Sequence, residues 1–273
     1  MRVSFASAPG SPHKPSEDTV AATPHLAFVL DGLSSPPELG TGCIHSTPWY
    51  VAHLAAALIE QAATRPATPL ADCAASALAK VADSHAATCD LTHTGTPSSS
   101  IALLRENEAT IEYLSLFDSV ILLDGPDGIA KISDLRVDGY AQAEHQQTLR
   151  YEIGTPEHQQ AVSRLVAAQR PHRNTPDGYW VAGSNPEAAH HALTGTIERA
   201  HLKRAAILSD GASCLAEDYH QTDWTGLLDL LHTHGPEHLI HQVRQAEATD
   251  PTGTKWPRYK AGDDATALLC LTD

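Results

Sequence analysis

The 273-residue chain is 42% hydrophobic and 19% charged, and its 33 Asp and Glu against 18 Lys and Arg give a formal charge of −15. That composition supports a buried core and excludes a disordered polymer. The acidity, with no Lys/Arg cluster, makes nucleic acid and anionic membrane poor partners, and no apolar run is long enough to span a bilayer.

Residues 2–6 and 25–30 read as strands. The second, His25-Leu26-Ala27-Phe28-Val29-Leu30, is nearly all apolar, which predicts burial on both faces. Residues 47–63 read as a helix, opened by Thr47-Pro48, with Val51, Leu54, Ala55, Leu58 and Ile59 at helical spacing. Residues 70–87 form a second, Ala-rich helix. Strands follow over 98–105, 109–117, 119–124 and 129–133, with Asp124-Gly125-Pro126-Asp127-Gly128 as a tight turn. A helix is predicted over 156–169, a short strand over 178–182 and a short helix over 186–193. An apolar strand over 203–209, helices over 223–233 and 236–247, and a strand from Ala265 to Leu271 complete the chain.

Consecutive strands with short turns imply antiparallel pairing. Strands and helices are segregated along the chain, which predicts one α+β layered domain spanning 1–273. The early and late helix pairs would cover opposite faces of the packed sheets. The five cysteines, Cys43, Cys73, Cys89, Cys214 and Cys270, are odd in number, widely spaced and without a Cys-x-x-Cys pair. They read as reduced thiols acting as small buried hydrophobes. With no apolar signal core at the N-terminus, a cytoplasmic location is expected.

Three acidic residues share one placement. Asp31 and Asp210 each follow an apolar strand and precede a glycine, and Asp263 opens the last strand. Taken singly, Asp-Gly after a strand is an ordinary turn. Several carboxylates converging on one end of a sheet would repel one another unless protonated or bridged by cations, and oxygen ligands suit Mg²⁺ or Mn²⁺.

In chain order, six segments resemble the metal-dependent protein phosphatases of type 2C, the PPM family. They are Ser16-Glu17-Asp18, Phe28-Val29-Leu30-Asp31-Gly32, Gly95 to Ala102, Leu116-Phe117-Asp118-Ser119, Ile207-Leu208-Ser209-Asp210-Gly211, and Gly262-Asp263-Asp264-Ala265-Thr266. The resemblance implies a four-layer α-β-β-α sandwich of two antiparallel sheets flanked by helix pairs. It also implies a binuclear Mn²⁺ or Mg²⁺ centre that hydrolyses phosphomonoesters, with phosphoserine and phosphothreonine in proteins as the expected substrates. A small phosphorylated metabolite could use the same centre. Asp31 would bridge the two cations, Asp210 and Asp263 would complete one site, and Glu17 with the Gly32 carbonyl would serve the other. Asp18 would hold bound water, and Asp118 would belong to a third metal position.

Some positions depart from the pattern. His13-Lys14 stands where many relatives place a phosphate-gripping arginine, so Lys14 would meet phosphate as a point charge. Leu33 follows the first Asp-Gly where relatives often carry His. Cys214 replaces an Asp associated with the third metal, and Asp264 replaces the usual Asn. These departures keep open a second reading, a regulatory or binding module on the same scaffold. A third reading draws zinc to His234, His238 and His241, whose simpler role is a solvated helical face.

Overall fold

A computed structural model describes residues 1–272. Ten strands, eight of them at predicted positions, pair into two five-stranded antiparallel sheets. In chain order they are β1 (Arg2–Ala8), β2 (Thr19–Ala22), β3 (Leu26–Leu30), β4 (Ile101–Glu106), β5 (Thr110–Leu116), β6 (Val120–Gly125), β7 (Gly128–Ile132), β8 (Leu193–Glu198), β9 (Arg204–Leu208) and β10 (Ala265–Leu271). One sheet has the order β1-β10-β9-β6-β7 and the other β2-β3-β4-β5-β8.

The sheets stack face to face because their apolar strands alternate between two burials. Ala27 and Val29 of β3 join Ala102, Leu104, Ile121, Ile207 and Leu268 between the sheets. Leu26, Phe28 and Leu30 of the same strand face outward into a helical layer. That layer is α1 (Thr47–Leu58) and α2 (Leu70–His85), which bury Val51, Leu54, Leu58, Leu78 and Val81. On the opposite face, α5 (Asp210–Glu217), α6 (Trp224–His234) and α7 (Pro236–Thr249) cover the β1-β10 sheet. They bury Leu215, Leu227, Leu231, Leu239 and Val243 there. The result is the predicted four-layer α-β-β-α sandwich. Between β7 and β8 lie α3 (Gln142–Thr148) and α4 (Pro156–Gln169).

Several local expectations are corrected. The first long helix is α-helical only to Leu58 and continues as a π turn over Ile59–Ala63. The helix expected over 186–193 is a 3₁₀ segment, Pro186–His191, followed by edge strand β8. Only Gly195 and Ile197 of β8 are partly shielded, so the strand carries little apolar signal. The strand expected over 178–182 makes only isolated bridges, Ala182 to Ser99 and Tyr179 to Arg173. Strand β2 and helices α3 and α5 escaped the sequence pattern. The second Asp-Gly is not a turn but the first turn of α5, where an acidic residue is favoured by the helix dipole.

Candidate metal centre

Strand register brings the acidic motifs to one end of the sandwich. Val29 pairs with Ala102 and Ile101 with Leu116, so β3 ends where β4 begins and β5 ends. In the other sheet Leu208 lies opposite both Val120 and Ala267, so β9 ends where β6 and β10 begin. Thr19 pairs with Leu30, placing Glu17 and Asp18 beside Asp31. The sheets meet directly here, because the Asp210 backbone N–H donates to Asp31 Oδ2 at 3.3 Å.

Close backbone approach depends on two glycines. A Cβ on Gly32 would lie 2.5 Å from the Glu17 carbonyl oxygen and 2.5 Å from Thr47 Cγ2. A Cβ on Gly211 would lie 2.1 Å from the Asp264 carbonyl oxygen. Only glycine fits in either place.

Asp264 fastens the early loops to the late one. Its Oδ1 accepts from the Gly10 N–H at 2.8 Å and its Oδ2 from the Glu17 N–H at 2.6 Å. Asp263 is held from three sides. Lys260 Nζ donates to Asp263 Oδ1 at 2.6 Å, the Asp264 N–H donates to the same oxygen at 2.9 Å, and Arg244 Nη2 donates to the Asp263 carbonyl at 2.6 Å. Ser34 donates to the Glu17 carboxylate. Ser100 Oγ accepts from the Asp31 N–H at 3.2 Å and bonds Ser119 Oγ at 2.6 Å, linking the Asp31 turn to the Asp118 turn.

Electrostatics confirm the convergence. Burial, then Asp210, Asp18, Asp118 and Asp263, push the Asp31 carboxyl well above its ordinary range. Asp118 is raised well above it by burial and then by Asp210. Burial pushes Asp18 up to about 7, and the charge of Asp210 adds to the rise. Asp210 is raised to about 6 by the protein crowding its carboxyl and then by Asp263, while Lys260 lowers it. The Asp210 residue is exposed, so solvent relieves its shift more than that of buried Asp18. Burial works against the Lys260 ammonium, yet Asp263, Asp210 and Asp31 outweigh it and raise its pKa.

Asp31, Asp210, Asp263, Glu17, Asp18, Gly32 and Asp118 are thus brought to one region. Lys14 is exposed, and its backbone N–H bonds the Ser11 carbonyl in a turn. The cation inside the cluster is Lys260, whose only sequence signal is its place three residues before Asp263. The anchoring role of Asp264 was equally silent, since an Asp beside an Asp reads as one more charge. His232, His234 and His241 are exposed, while His238 is half-buried and bonds Gln242 at 3.0 Å.

The donor chemistry suits a divalent cation, although among the described residues no three of these carboxylates have ligand atoms within 4.8 Å of one another. Both oxygens of buried Asp18, and Oδ1 of Asp118, are buried without a hydrogen-bond partner. One ammonium, Lys260, cannot neutralise the five converging aspartates. Hard oxygen donors with free lone pairs in that field suit Mn²⁺ or Mg²⁺.

No family model matches the sequence, and no curated protein matches it. Solved structures do. The catalytic domain of the serine/threonine protein phosphatase PstP in complex with two manganese ions aligns with TM-score 0.58 at 16% identity, covering 100% of this chain and 98% of that one. The serine/threonine phosphatase Stp1 of Staphylococcus aureus aligns with TM-score 0.56 at 13% identity, covering 99% and 94%. The PPM Ser-Thr phosphatase MsPP of Mycobacterium smegmatis, in complex with cacodylate, aligns with TM-score 0.55 at 13% identity, covering 98% and 97%. The chain therefore has the fold of the PPM-type serine/threonine phosphatases over nearly its whole length.

Proposed function

We propose that this chain is a metal-dependent phosphomonoester hydrolase acting on phosphoserine and phosphothreonine in proteins. The observation that carries the reading is the meeting of Asp18, Asp31, Asp118, Asp210 and Asp263 at one end of the sandwich, with carboxylate oxygens left unpaired in the interior. In this reading Asp31 serves both halves of the site, with Asp210 and Asp263 completing one half and Glu17 with the Gly32 carbonyl the other. In this reading those two sets hold two Mn²⁺ or Mg²⁺ ions and Asp118 belongs to a third, weaker position. Bound cations would neutralise the phosphoryl oxygens and acidify a water.

The chain's own residues do the rest. Asp18, with both oxygens free, orients water. Asp264 and Arg244 fix the backbone of the Glu17 and Asp263 segments. Lys14, exposed near the Glu17 segment, meets a substrate phosphate as a point charge. Among the described residues no helix is long and apolar enough to cross a membrane. All five cysteines are free, and we place the protein in a reducing, cytoplasmic compartment.

The test is release of phosphate from an aryl phosphate with Mn²⁺, comparing the wild type, Asp210→Ala and a chelated sample. Activity in the first alone is the expected result; equal rates in all three contradict the reading. Leu33 favours a second reading, a phosphatase-like binding module. It packs against Phe117, Tyr179 and Val181 and offers no proton to a leaving group. Mn²⁺ binding without turnover would select that module.

A further inference from the structure

The cysteines do not all behave as buried hydrophobes. Cys73, Cys214 and Cys270 are buried, but Cys43 and Cys89 are half-exposed and meet at His85. Among the described residues, Cys43, His85 and Cys89 form the one group of three His, Cys or acidic residues whose ligand atoms all lie within 4.8 Å of one another. His85 Nδ1 faces Cys43 Sγ at 3.5 Å. His85 is 2% exposed, and its other ring nitrogen, Nε2, is buried without a hydrogen-bond partner.

The His45 backbone N–H donates to Cys43 Sγ at 3.4 Å. Burial and a proton shared with Cys89 push the Cys43 thiol up to about 11. Burial opposes ionisation of Cys89 too, but the Cys43 thiol and the Ile44 and His45 backbone N–H groups draw its pKa down. Both sulfurs and a ring nitrogen of His85 lie within 4.8 Å of one another, close enough for one cation to take all three. Burial, then His45 and His53, holds His85 in its neutral, ligating form.

We propose that Cys43, His85 and Cys89 bind one Zn²⁺ ion, a site separate from the carboxylate cluster. Two thiolates and a neutral imidazole suit a borderline-soft ion, whereas Mn²⁺ and Mg²⁺ prefer oxygen. On binding, Cys43 and Cys89 each release a proton to solvent and His85 ligates through Nδ1, so the site with Zn²⁺ carries no net charge. Three protein ligands leave the fourth tetrahedral position to water. Cys43 lies in the loop leading from Asp31 into α1, His85 ends α2, and Cys89 follows it. The ion would staple these two segments, which already meet where the Asp90 N–H bonds the Gly42 carbonyl at 2.8 Å. The staple does not depend on the phosphatase reading.

Cobalt titration of the full, reduced chain tests it, because a sulfur-to-cobalt charge-transfer band reports thiolate ligands and is blind to carboxylates. The wild type and the control Cys270→Ala develop the band at one cobalt per chain and lose it to Zn²⁺. Cys43→Ser and Cys89→Ser do not develop it. Alkylation of the wild type followed by peptide mapping needs no variant: Zn²⁺ slows modification of Cys43 and Cys89. At about a hundredfold excess over Kd, Zn²⁺ raises Tm by about 5 °C. A reduced wild type without the band, a band that survives Cys43→Ser, or equal labelling of both cysteines with and without Zn²⁺ overturns the proposal.

Discussion

Asp31 stands where burial and four carboxylate neighbours all oppose its ionised form. Asp31→Asn removes that repulsion while an amide oxygen can still accept the Asp210 N–H. The metal-free chain should therefore gain about 1–2 kcal/mol at pH 7, read by denaturant unfolding in chelator. The same variant should lose Mn²⁺ binding. A destabilised metal-free variant would contradict the electrostatic account. Gly32→Ala works oppositely: its methyl would meet the Glu17 carbonyl, and a loss of about 1–3 kcal/mol is expected from urea unfolding. At this scale the motif carboxylates were legible because each follows or precedes an apolar strand. Asp264 and the pairing of Cys43 with His85 and Cys89 were not, since their partners lie far away in sequence, and Lys260 was not because a lysine three residues before an aspartate reads as an ordinary surface ion pair. Phe117 was also hidden. It holds φ of 75° where a glycine would sit without strain, kept there by packing on Tyr179.

Elements carry the acids to their meeting point. Helix α7 reaches across the sheet edge through Arg244, which binds Glu247 on its own helix and the carbonyls of Ala8, Pro9 and Asp263. Arg244→Ala should leave the fold intact but weaken Mn²⁺ binding about 10–100-fold by calorimetry, because Asp263 loses its backbone support. Unchanged affinity would show that the segment holds itself. Helix α1 contributes through packing alone, and Leu54→Ala, at a fully buried position, should cost about 2–5 kcal/mol in thermal or denaturant unfolding. The long buried strands and the two helix pairs were readable from periodicity. β8 was not, because an edge strand shows little apolar alternation. α5 was hidden because Asp-Gly at a helix N-terminus looks the same as Asp-Gly in a turn.

For the whole molecule, raised carboxyl pKa values make stability depend on pH in an unusual direction. Asp210 and Asp18 hold protons in the folded chain to about pH 6 and 7, while in the unfolded chain they release them near pH 4. Across that window the folded state binds more protons, so the metal-free protein should lose stability as pH rises from about 4 to 7. Saturating Mn²⁺ should offset that loss at neutral pH, since a bound cation favours the ionised carboxylates. Parallel Tm profiles with chelator and with Mn²⁺ check both statements; profiles with the same slope would contradict them.

The central claim is that separate acidic segments converge to hold divalent cations. Calorimetric titration of the full chain with Mn²⁺ at neutral pH tests it most directly. Two ions per chain, falling sharply in Asp31→Asn and Asp210→Ala, is the predicted result. No saturable Mn²⁺ binding in the wild type, or binding that both variants retain, would contradict it.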